Sequence, residues 1–381
     1  MNDHTSRPLL RRTRIVCISD THNQTPKLPK GDVLIHAGDL TNQGSYTELK
    51  KTVEWLEKAE FEAKIVIAGN HDITLEPEFY KEHGTSWRWP KPQEPTKCRS
   101  LFLNSPSITY LEHEAASIFL SSPTGPRTCF KVFGSPYHPN LRNWPFKYAP
   151  GEGGPYWKAI PLDTDIVITH GPPENHLDVA GSKPAGCEAL LKALHRVRPM
   201  LSIFGHIHEA RGAERVQWDI ESANGCLEMG TETWEDPGAG SNKQSLVNLT
   251  AKGGRPLRTA TLTRQSSMNF CSLASSSPMG DTGAQPDVLQ PGVSNSTSPD
   301  VFPAVDNEAN GMVKKKLGGA FELRQASDIG WASEPDVEAD ERRSLRNETC
   351  MINAAFLGPH FSGPKQFRKP IVVDVDLPVW C

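Results

Sequence analysis

Histidines, aspartates and one asparagine recur directly after short apolar runs, and side chains of these kinds bind divalent cations. In Phe204–His208, which reads FGHIH, two histidines stand two positions apart behind a glycine, after the apolar run that begins at Met200. Residues two apart in an extended chain face the same side, so both imidazoles could reach one point at the end of a strand. Solvated surface histidines need no such placement, and the pair therefore indicates a metal site.

Four other apolar runs end in residues of the same kind: Ser19-Asp20-Thr21-His22, His36-Ala37-Gly38-Asp39, Ala68-Gly69-Asn70-His71-Asp72 and Thr169-His170-Gly171-Pro172. In an open α/β sheet, ligands bind beyond the carboxyl ends of the strands, on loops held by a rigid scaffold. Together the five runs are therefore predicted to bring seven side chains to one rim: Asp20, His22, Asp39, Asn70, His170, His206 and His208.

Nitrogen and oxygen ligands without a thiolate suit borderline or hard divalent ions such as Mn²⁺, Fe²⁺, Zn²⁺ or Mg²⁺. A set of this size exceeds what one tetrahedral ion needs, and it suits two ions about 3.5–4 Å apart, which clamp the attacking and leaving oxygens of an in-line displacement. Any single motif could equally be turn or capping chemistry. That alternative stays open above all for His170, because His-Gly-Pro-Pro is also an ordinary turn sequence.

The elements that must position these residues follow from the apolar pattern. Runs rich in β-branched residues predict buried strands: Arg14–Ser19, Val33–Ala37, Lys64–Ala68, Ser107–Glu112, Ser117–Ser121, Phe130–Gly134, Asp165–Thr169, Leu201–Phe204 and Arg215–Ile220. Apolar residues at helical spacing predict amphipathic helices at 46–60 and about 186–198, the second closed by Pro199. Strands alternating with helices predict an α/β core, with an antiparallel or mixed part between residues 107 and 134.

The composition changes near residue 264. The stretch that follows is dominated by Ser, Pro, Gly and Asp, and it cannot bury enough apolar surface to offset its ordering entropy. Apolar runs return at Thr349–Ala354 and Lys369–Pro378. The sequence thus predicts a domain at 14–264, a disordered low-complexity insertion at 265–343, and C-terminal strands at 344–378 that fold back onto the core.

Bulk properties exclude several classes of protein. The 381 residues carry a net charge of −4 with a pI near 6.4, so no basic bias points to nucleic acid or an anionic membrane. The N-terminus lacks the apolar core of a secretory signal, and no apolar run approaches the roughly 18 residues of a membrane span. The 8 cysteines form no framework and are interpreted as reduced thiols. These properties predict a soluble cytoplasmic protein without a membrane partner or a clear nucleic-acid surface, and they leave its oligomeric state undetermined.

As an ordered set, the runs ISDTHN, IHAGDLT, IAGNHD, GSPY, THGPP and FGHIHEARG resemble the calcineurin-like metallophosphoesterase superfamily, and most of all its metallophosphoesterase-domain class. The resemblance covers about residues 14–225. It implies an α/β fold in which a sandwich of two mixed sheets is flanked by helices, with a dinuclear metal site at the C-terminal ends of the strands. It also implies the ligand roles: Asp20, His22 and His208 for one ion, Asn70, His170 and His206 for the other, and Asp39 as the bridge.

The activity that the resemblance implies is hydrolysis of a small phosphate ester, preferably a diester, by in-line attack of a metal-bound hydroxide. Mn²⁺ is the first expectation for the metal, and His71, which in the family faces the substrate, is the expected proton donor to the leaving oxygen. Tyr137 and His138, in an aromatic-rich loop segment, are candidate substrate contacts, although packing beneath a long loop explains them equally well.

Three alternatives to this activity stay open. The first is a protein Ser/Thr phosphatase, a branch that usually continues its Gly-Asp with Asp-Arg-Gly, whereas Asp39 here runs into Leu40–Gly44. The second is a non-catalytic metal-bound scaffold, for which His71 would serve no purpose. The third is a zinc amidohydrolase, whose His-x-His usually opens the series of motifs instead of closing it.

Overall fold

A computed structural model of the chain describes residues 9–87, 89–139, 143–149, 151–221, 226–259, 343–359 and 364–380, together with the backbone of two strands at 312–317 and 320–325. The strands are β1 (Leu10–Ile18), β2 (Val33–Ala37), β3 (Ala63–Ile67), β4 (Thr109–Tyr110), β5 (Glu114–Phe119), β6 (Cys129–Ser135), β7 (His138–Pro139), β8 (Lys147–Tyr148), β9 (Ile166–Thr169), β10 (Val179–Ala180), β11 (Lys183–Pro184), β12 (Leu201–Phe204), β13 (Gly212–Trp218), β14 (Glu228–Thr233), β15 (Ser245–Leu249), β16 (Met312–Leu317), β17 (Ala320–Gln325), β18 (Glu348–Asn353) and β19 (Ile371–Pro378). The helices are α1 (Tyr46–Lys58), α2 (Pro77–His83), α3 (Pro95–Leu103), α4 (Gly153–Lys158) and α5 (Glu188–Val197), with 3₁₀ turns at Ile73–Leu75, Gly84–Ser86 and His208–Ala210.

Two mixed sheets build the domain. One has the strand order β15-β19-β1-β2-β3-β4 and the other the order β14-β13-β18-β12-β9-β6-β5-β16-β17. Parallel pairing joins β1 to β2 and β2 to β3 in the first sheet, and β6 to β9 and β9 to β12 in the second. Because these neighbours are parallel, their carboxyl ends open toward the same edge, which is where a ligand site is expected.

Alternating side chains divide the core into layers. On β1, Ile15 and Cys17 join the apolar cluster shared by both sheets, whereas Val16 packs in the cluster that contains residues of α1 and α3. The outer face of the second sheet packs against α5 through Leu190 and Leu194. Successive buried side chains that join two clusters in alternation are the signature of a strand covered on both faces by different partners. The predicted fold, a mixed sandwich flanked by helices, is confirmed.

Local sequence explains where two helices begin and end. Ser45 caps α1 in a capping box, because its side chain accepts from the backbone N–H of Glu48 while the Glu48 carboxylate accepts from the backbone N–H of Ser45. The other predicted helix, α5, ends at Arg198 in the left-handed conformation, directly before Pro199. No helix within the described ranges combines the length and the apolar composition that a membrane crossing requires.

The first strand begins at Leu10, four residues earlier than predicted. Of its additional residues, Leu10, Arg11 and Arg12 are exposed and Thr13 is buried. The strand pairs antiparallel with β19 along its length, from Leu10 opposite Pro378 to Cys17 opposite Ile371. The side chain of Arg14 bridges to Asp374 on β19, with 2.7 Å between Nε and Oδ1. Pairing with a strand more than 350 residues away thus extends β1 beyond its apolar run.

The last strands of the described chain lie inside the sheets. In the first sheet β19 runs between β15 and β1, and in the second β18 runs between β13 and β12. The predicted insertion at 265–343 lies for the most part outside the described residues. Within it the backbone forms the antiparallel hairpin of β16 and β17, and β16 pairs parallel with β5 at Lys314 and Lys315. For the rest of the insertion, disorder stays a prediction.

Candidate metal centre

The predicted metal ligands all lie just past the carboxyl ends of strands from both sheets. They are Asp20 and His22 after β1, Asp39 after β2, Asn70 after β3, His170 after β9, and His206 and His208 after β12. Side chains that are up to 188 residues apart in sequence thereby meet on one rim, since His208 lies beside Asp20. The five motifs predicted that these side chains lie close together on one rim, and the structure places them there.

Four of these side chains form a first cluster. One ligand atom from each of Asp20, His22, Asp39 and His208 lies within 4.8 Å of the others. The Nε2 atoms of His22 and His208 are 3.3 Å apart, and His208 Nε2 is 3.3 Å from Asp20 Oδ1. Such convergence of two imidazoles and two carboxylates gives a mixed nitrogen and oxygen donor set.

A second cluster shares Asp39 with the first. Ligand atoms of Asp39, His170 and His206 lie within 4.8 Å of one another. The Nε2 atom of His170 is 3.4 Å from Asp39 Oδ1 and 2.9 Å from Asn70 Oδ1. The other oxygen of Asp39, Oδ2, is 3.5 Å from Nε2 of His22 in the first cluster. Asp39 therefore presents one oxygen to each cluster.

Backbone carbonyls orient two of the imidazoles. Nδ1–H of His22 donates to the carbonyl oxygen of Thr41 at 3.1 Å, and Nδ1–H of His170 donates to that of Ala37 at 2.9 Å. In the neutral ring a proton on Nδ1 leaves the lone pair of Nε2 free to bind a cation, and Nε2 is the atom that points into the clusters. Fixing the tautomer and ring orientation in this way is the usual outer support of a histidine metal ligand.

The backbone around the clusters is strained. Asp20, His22, Asp39 and His206 have φ values of 54°, 43°, 52° and 68°, in the left-handed region that costs a non-glycine residue roughly 1–3 kcal/mol. The turn after β12 also requires Gly205, since a Cβ at that position would overlap the Asp20 carboxylate and the Ser19 hydroxyl. Strain of this kind persists where the surrounding structure imposes it, and here it aims ligand side chains inward.

Both carboxylates of the clusters are held in the ionised form. Burial opposes ionisation of Asp39, but the nearby imidazoles of His170 and His71 outweigh burial and hold the pKa of Asp39 well below its ordinary value. Burial also opposes ionisation of Asp20, and the hydrogen bond and charge of His208 lower the pKa of Asp20 to about 2. Ionised carboxylates are the form that binds a cation.

The imidazoles of the clusters differ in pKa because their surroundings differ. Burial lowers the pKa of His22 to about 4 and that of His206 well below its ordinary value, so both are neutral donors. Burial lowers the pKa of His170 too, but the negative charges of Asp39 and Asp20 prevail and raise the pKa of His170 to about 9. The two buried carboxylates thus stabilise positive charge at the rim, and a divalent cation can supply that charge in place of a proton. The donor set fits divalent metal ions.

Asp72 supports the clusters without belonging to them. Its buried carboxylate accepts hydrogen bonds from the backbone N–H groups of Gly69, Leu40 and Thr41 at 2.8, 3.1 and 3.0 Å. It also accepts from the hydroxyl of Thr41 at 2.8 Å. Since Leu40 adjoins Asp39 in one loop and Gly69 adjoins Asn70 in the next, Asp72 ties the loops after β2 and β3 together, and both loops carry a predicted ligand.

His71, the predicted proton donor, lies beside the first cluster and is half-buried. Its ring centroid is 4.7 Å from that of His22, and its backbone N–H donates to Asp39 Oδ1 at 2.8 Å. Its Nδ1–H donates to the carbonyl oxygen of Asn42 at 2.8 Å. The ring also contacts Trp144, at 4.5 Å between centroids.

The two candidate substrate contacts lie in packed surroundings. His138 is 2% exposed, its nitrogens lie 2.9 and 3.1 Å from the carbonyl oxygens of Pro139 and Pro145, and its ring stacks on His206. Tyr137 packs against Tyr156, at 4.8 Å between ring centroids. In this arrangement His138 supports a ligand residue, and a role for either side chain in substrate binding stays a prediction.

Sequence reasoning gave no role to His176, which lies between two carboxylates. Its Nδ1 is 3.0 Å from Glu214 Oε2 and its Nε2 is 2.9 Å from Glu228 Oε1. Burial opposes the charge, but the two hydrogen bonds raise the pKa of His176 to about 9. No local signal marks the arrangement, because Glu214 lies on β13 and Glu228 on β14, far along the chain.

A family model described as calcineurin-like phosphoesterase matches residues 13–210. The match covers more than half of the 381 residues and includes every predicted ligand. The chain belongs to the calcineurin-like phosphoesterase family. The resemblance inferred from the ordered motifs is thus confirmed.

Curated relatives match the same part of the chain. Human metallophosphoesterase domain-containing protein 1 is 39% identical over 213 residues, which are 52% of this chain and 62% of that protein. Caenorhabditis elegans UPF0046 protein K07C11.7 is 38% identical over 202 residues, 52% of this chain and 64% of that protein. An Emericella nidulans protein named probable rhamnogalacturonate lyase C is 41% identical over 224 residues, 58% of this chain but only 20% of that protein. This chain spans less than two thirds of each relative, so their names do not transfer an activity to it.

Proposed function

We propose that this chain is a metal-dependent phosphoesterase that hydrolyses small phosphodiesters with two divalent ions, Mn²⁺ in the first instance. Asp20, His22 and His208 would hold one ion and Asn70, His170 and His206 the other, with Asp39 holding both. The observation that carries the proposal is the position of Asp39, whose oxygens lie 3.5 Å from His22 Nε2 and 3.4 Å from His170 Nε2. A carboxylate directed at two imidazole clusters is suited to bridging two cations.

When bound, two such ions would lower the pKa of a water and neutralise charge on the phosphoryl oxygens. The chain itself supplies orientation and a proton. Because Nδ1–H of His71 donates to the Asn42 carbonyl at 2.8 Å, Nε2 is the nitrogen left for proton transfer to the leaving oxygen. The hydrogen bond from the His71 backbone N–H to Asp39 holds His71 next to the proposed bridging carboxylate.

A diester is favoured over a monoester by the charges around the clusters. Among the described residues, the groups with the largest electrostatic influence are His208, His170 and Asp39 on Asp20, and His170, His71 and His22 on Asp39, with no lysine or arginine among them. A monoester dianion carries one more negative charge than a diester and would gain from such a cation. The net charge of −4 supports a small substrate over a nucleic acid, and we extend the proposal to a cytoplasmic location.

Turnover by the full chain, reconstituted with Mn²⁺, tests this proposal. We expect hydrolysis of small diesters at a higher kcat/KM than that of the matched monoesters. Asp39→Asn should lose both ions and the activity together, because an amide lacks the charge and the second anionic oxygen that bridging requires. Two bound ions without turnover of any ester would identify a scaffold, and preferred turnover of phosphoserine peptides would identify a protein phosphatase.

A further inference from the structure

Three tryptophans near the metal centre stand apart from the core. Trp87, Trp89 and Trp144 belong to none of the three clusters of buried apolar residues that fill the described part of the chain. Each is only half-buried. In contrast, Trp157 and Trp218 are core residues with 1% and 0% exposure. A contiguous group of large rings that stay partly in water beside a candidate site is typical of a surface that binds a ligand.

The three indoles form a row that begins at the proposed proton donor. The centroid of Trp144 is 4.5 Å from that of His71, Trp87 follows at 5.0 Å from Trp144, and Trp89 follows at 6.2 Å from Trp87. Tyr80 ends the row, 5.4 Å from Trp89. All four distances are those of interacting aromatic pairs. The row joins the loop after β7 to the segment after α2, so tertiary structure creates it.

We propose that Trp144, Trp87 and Trp89 form the subsite for a flat aromatic leaving group. This inference rests on the proposed function, in which the metal centre holds the phosphoryl group and His71 protonates the leaving oxygen. That oxygen must come within about 2.6–3.2 Å of the donor nitrogen. A ring attached to the oxygen then lies next to His71, where Trp144 begins the row.

The chemistry of the step matches this placement. The water first loses one proton to bulk solvent; as the bond from its oxygen to phosphorus then forms, the bond from phosphorus to the leaving oxygen breaks, and that oxygen takes the proton of His71, which solvent afterwards restores. The departing group is an aryl alcohol whose ring contacts indole. Aromatic pairs gain from their complementary quadrupoles beyond the area they bury, which a saturated ring of the same size does not. The row therefore favours a flat aromatic ring over a saturated ring of the same size.

Binding of two phosphonates separates this inference from turnover. Phenylphosphonate and cyclohexylphosphonate have the same charge and nearly the same size, and both place a ring directly on phosphorus. For the Mn²⁺-loaded full chain we expect titration calorimetry to give about 3- to 10-fold tighter binding of the phenyl compound. Trp87→Leu and Trp144→Leu should each reduce that preference to near one. Trp380→Leu is the matched control, because Trp380 packs on Phe119 at 5.7 Å, outside the row, and should leave the preference unchanged.

Each result decides the matter. Equal affinity of wild type for the two phosphonates, failure to bind either, or an aryl preference that survives both substitutions overturns the subsite. So does an equal loss of both affinities, which would mean that the row only supports His71. If Trp144→Leu does not fold, as judged by circular dichroism, Trp87→Leu decides alone, since Trp87 contacts Trp144 at 5.0 Å and lies one ring further from the proton donor. Aryl preference without turnover of any ester keeps the subsite and refutes the phosphoesterase.

Discussion

Removal of the Asp72 carboxylate tests how the rim is held in place. The side chain is 0% exposed, and it accepts three backbone hydrogen bonds from the loops after β2 and β3, at 2.8–3.1 Å. Asp72→Ala leaves these N–H groups buried without an acceptor. An unsatisfied buried donor costs roughly 1–3 kcal/mol. The three together would therefore cost several kcal/mol.

Part of this cost is offset by the carboxylate itself. Burial, with the nearby charge of Asp39, raises the pKa of Asp72 to about 7. Desolvation of this carboxylate therefore already destabilises the native protein. Asp72→Ala removes this desolvation cost, which offsets part of the loss of the hydrogen bonds. We expect a net loss of about 3–5 kcal/mol in the free energy of unfolding. Metal affinity should fall as well, because Leu40 and Gly69 adjoin the proposed ligands Asp39 and Asn70.

Urea unfolding with a chelator present, followed by circular dichroism at pH 7, measures the stability of the protein alone. Titration with Mn²⁺ then measures affinity. Thr41→Val is the comparison: it leaves the three backbone hydrogen bonds to Asp72 in place and removes the hydroxyl that donates to Asp72 at 2.8 Å and accepts from the backbone N–H of Gly44 at 2.8 Å. It should cost about 1–3 kcal/mol, less than Asp72→Ala. A loss below about 1 kcal/mol for Asp72→Ala, with unchanged metal affinity, would refute the assignment of Asp72 as the tie between the loops.

Further changes probe the same centre and its surroundings. His71→Ala should keep both metals and lose about 10²–10⁴-fold in rate on alkyl esters but far less on nitrophenyl esters, because a good leaving oxygen hardly needs a proton; equal losses across a leaving-group series would exclude proton donation. Gly205→Ala should weaken metal binding at least tenfold, measured by calorimetry, since its methyl group overlaps the Asp20 carboxylate. The raised pKa of His176 means that its stabilisation, up to about 3 kcal/mol, is complete below pH 6.5 and is lost as the pH rises through about 9. Urea unfolding across that range should show this slope in wild type and not in His176→Gln. Deletion of 265–343 should leave metal content by elemental analysis unchanged, because the segment contains no predicted ligand; a loss of metal would show that the segment supports the site.

Local patterns were sufficient to indicate the candidate metal ligands and to predict most strands. The β-branched run at 33–37 and the FGHIH segment signal a buried strand and a pair of convergent imidazoles wherever they occur, since periodicity and residue type belong to the chain itself. The start of β1 was missed for the same reason: Leu10–Thr13 contains two arginines and shows no apolar alternation, and only pairing with β19 makes these residues a strand. The helices α2, α3 and α4 are short, and their apolar faces are too small to give a clear period.

The sequence alone determined which residues could bind metal, the order in which strands present them and the family to which the chain belongs, because ligand chemistry and strand ends are local properties. Tertiary structure alone decided which oxygen of Asp39 faces which imidazole, that His138 is enclosed behind His206, and that indoles from two separate loops line up beside His71. These relations depend on distances between segments that are far apart along the chain. Their energies come from burial and from contacts that exist only once both sheets are packed, so no window of sequence contains them.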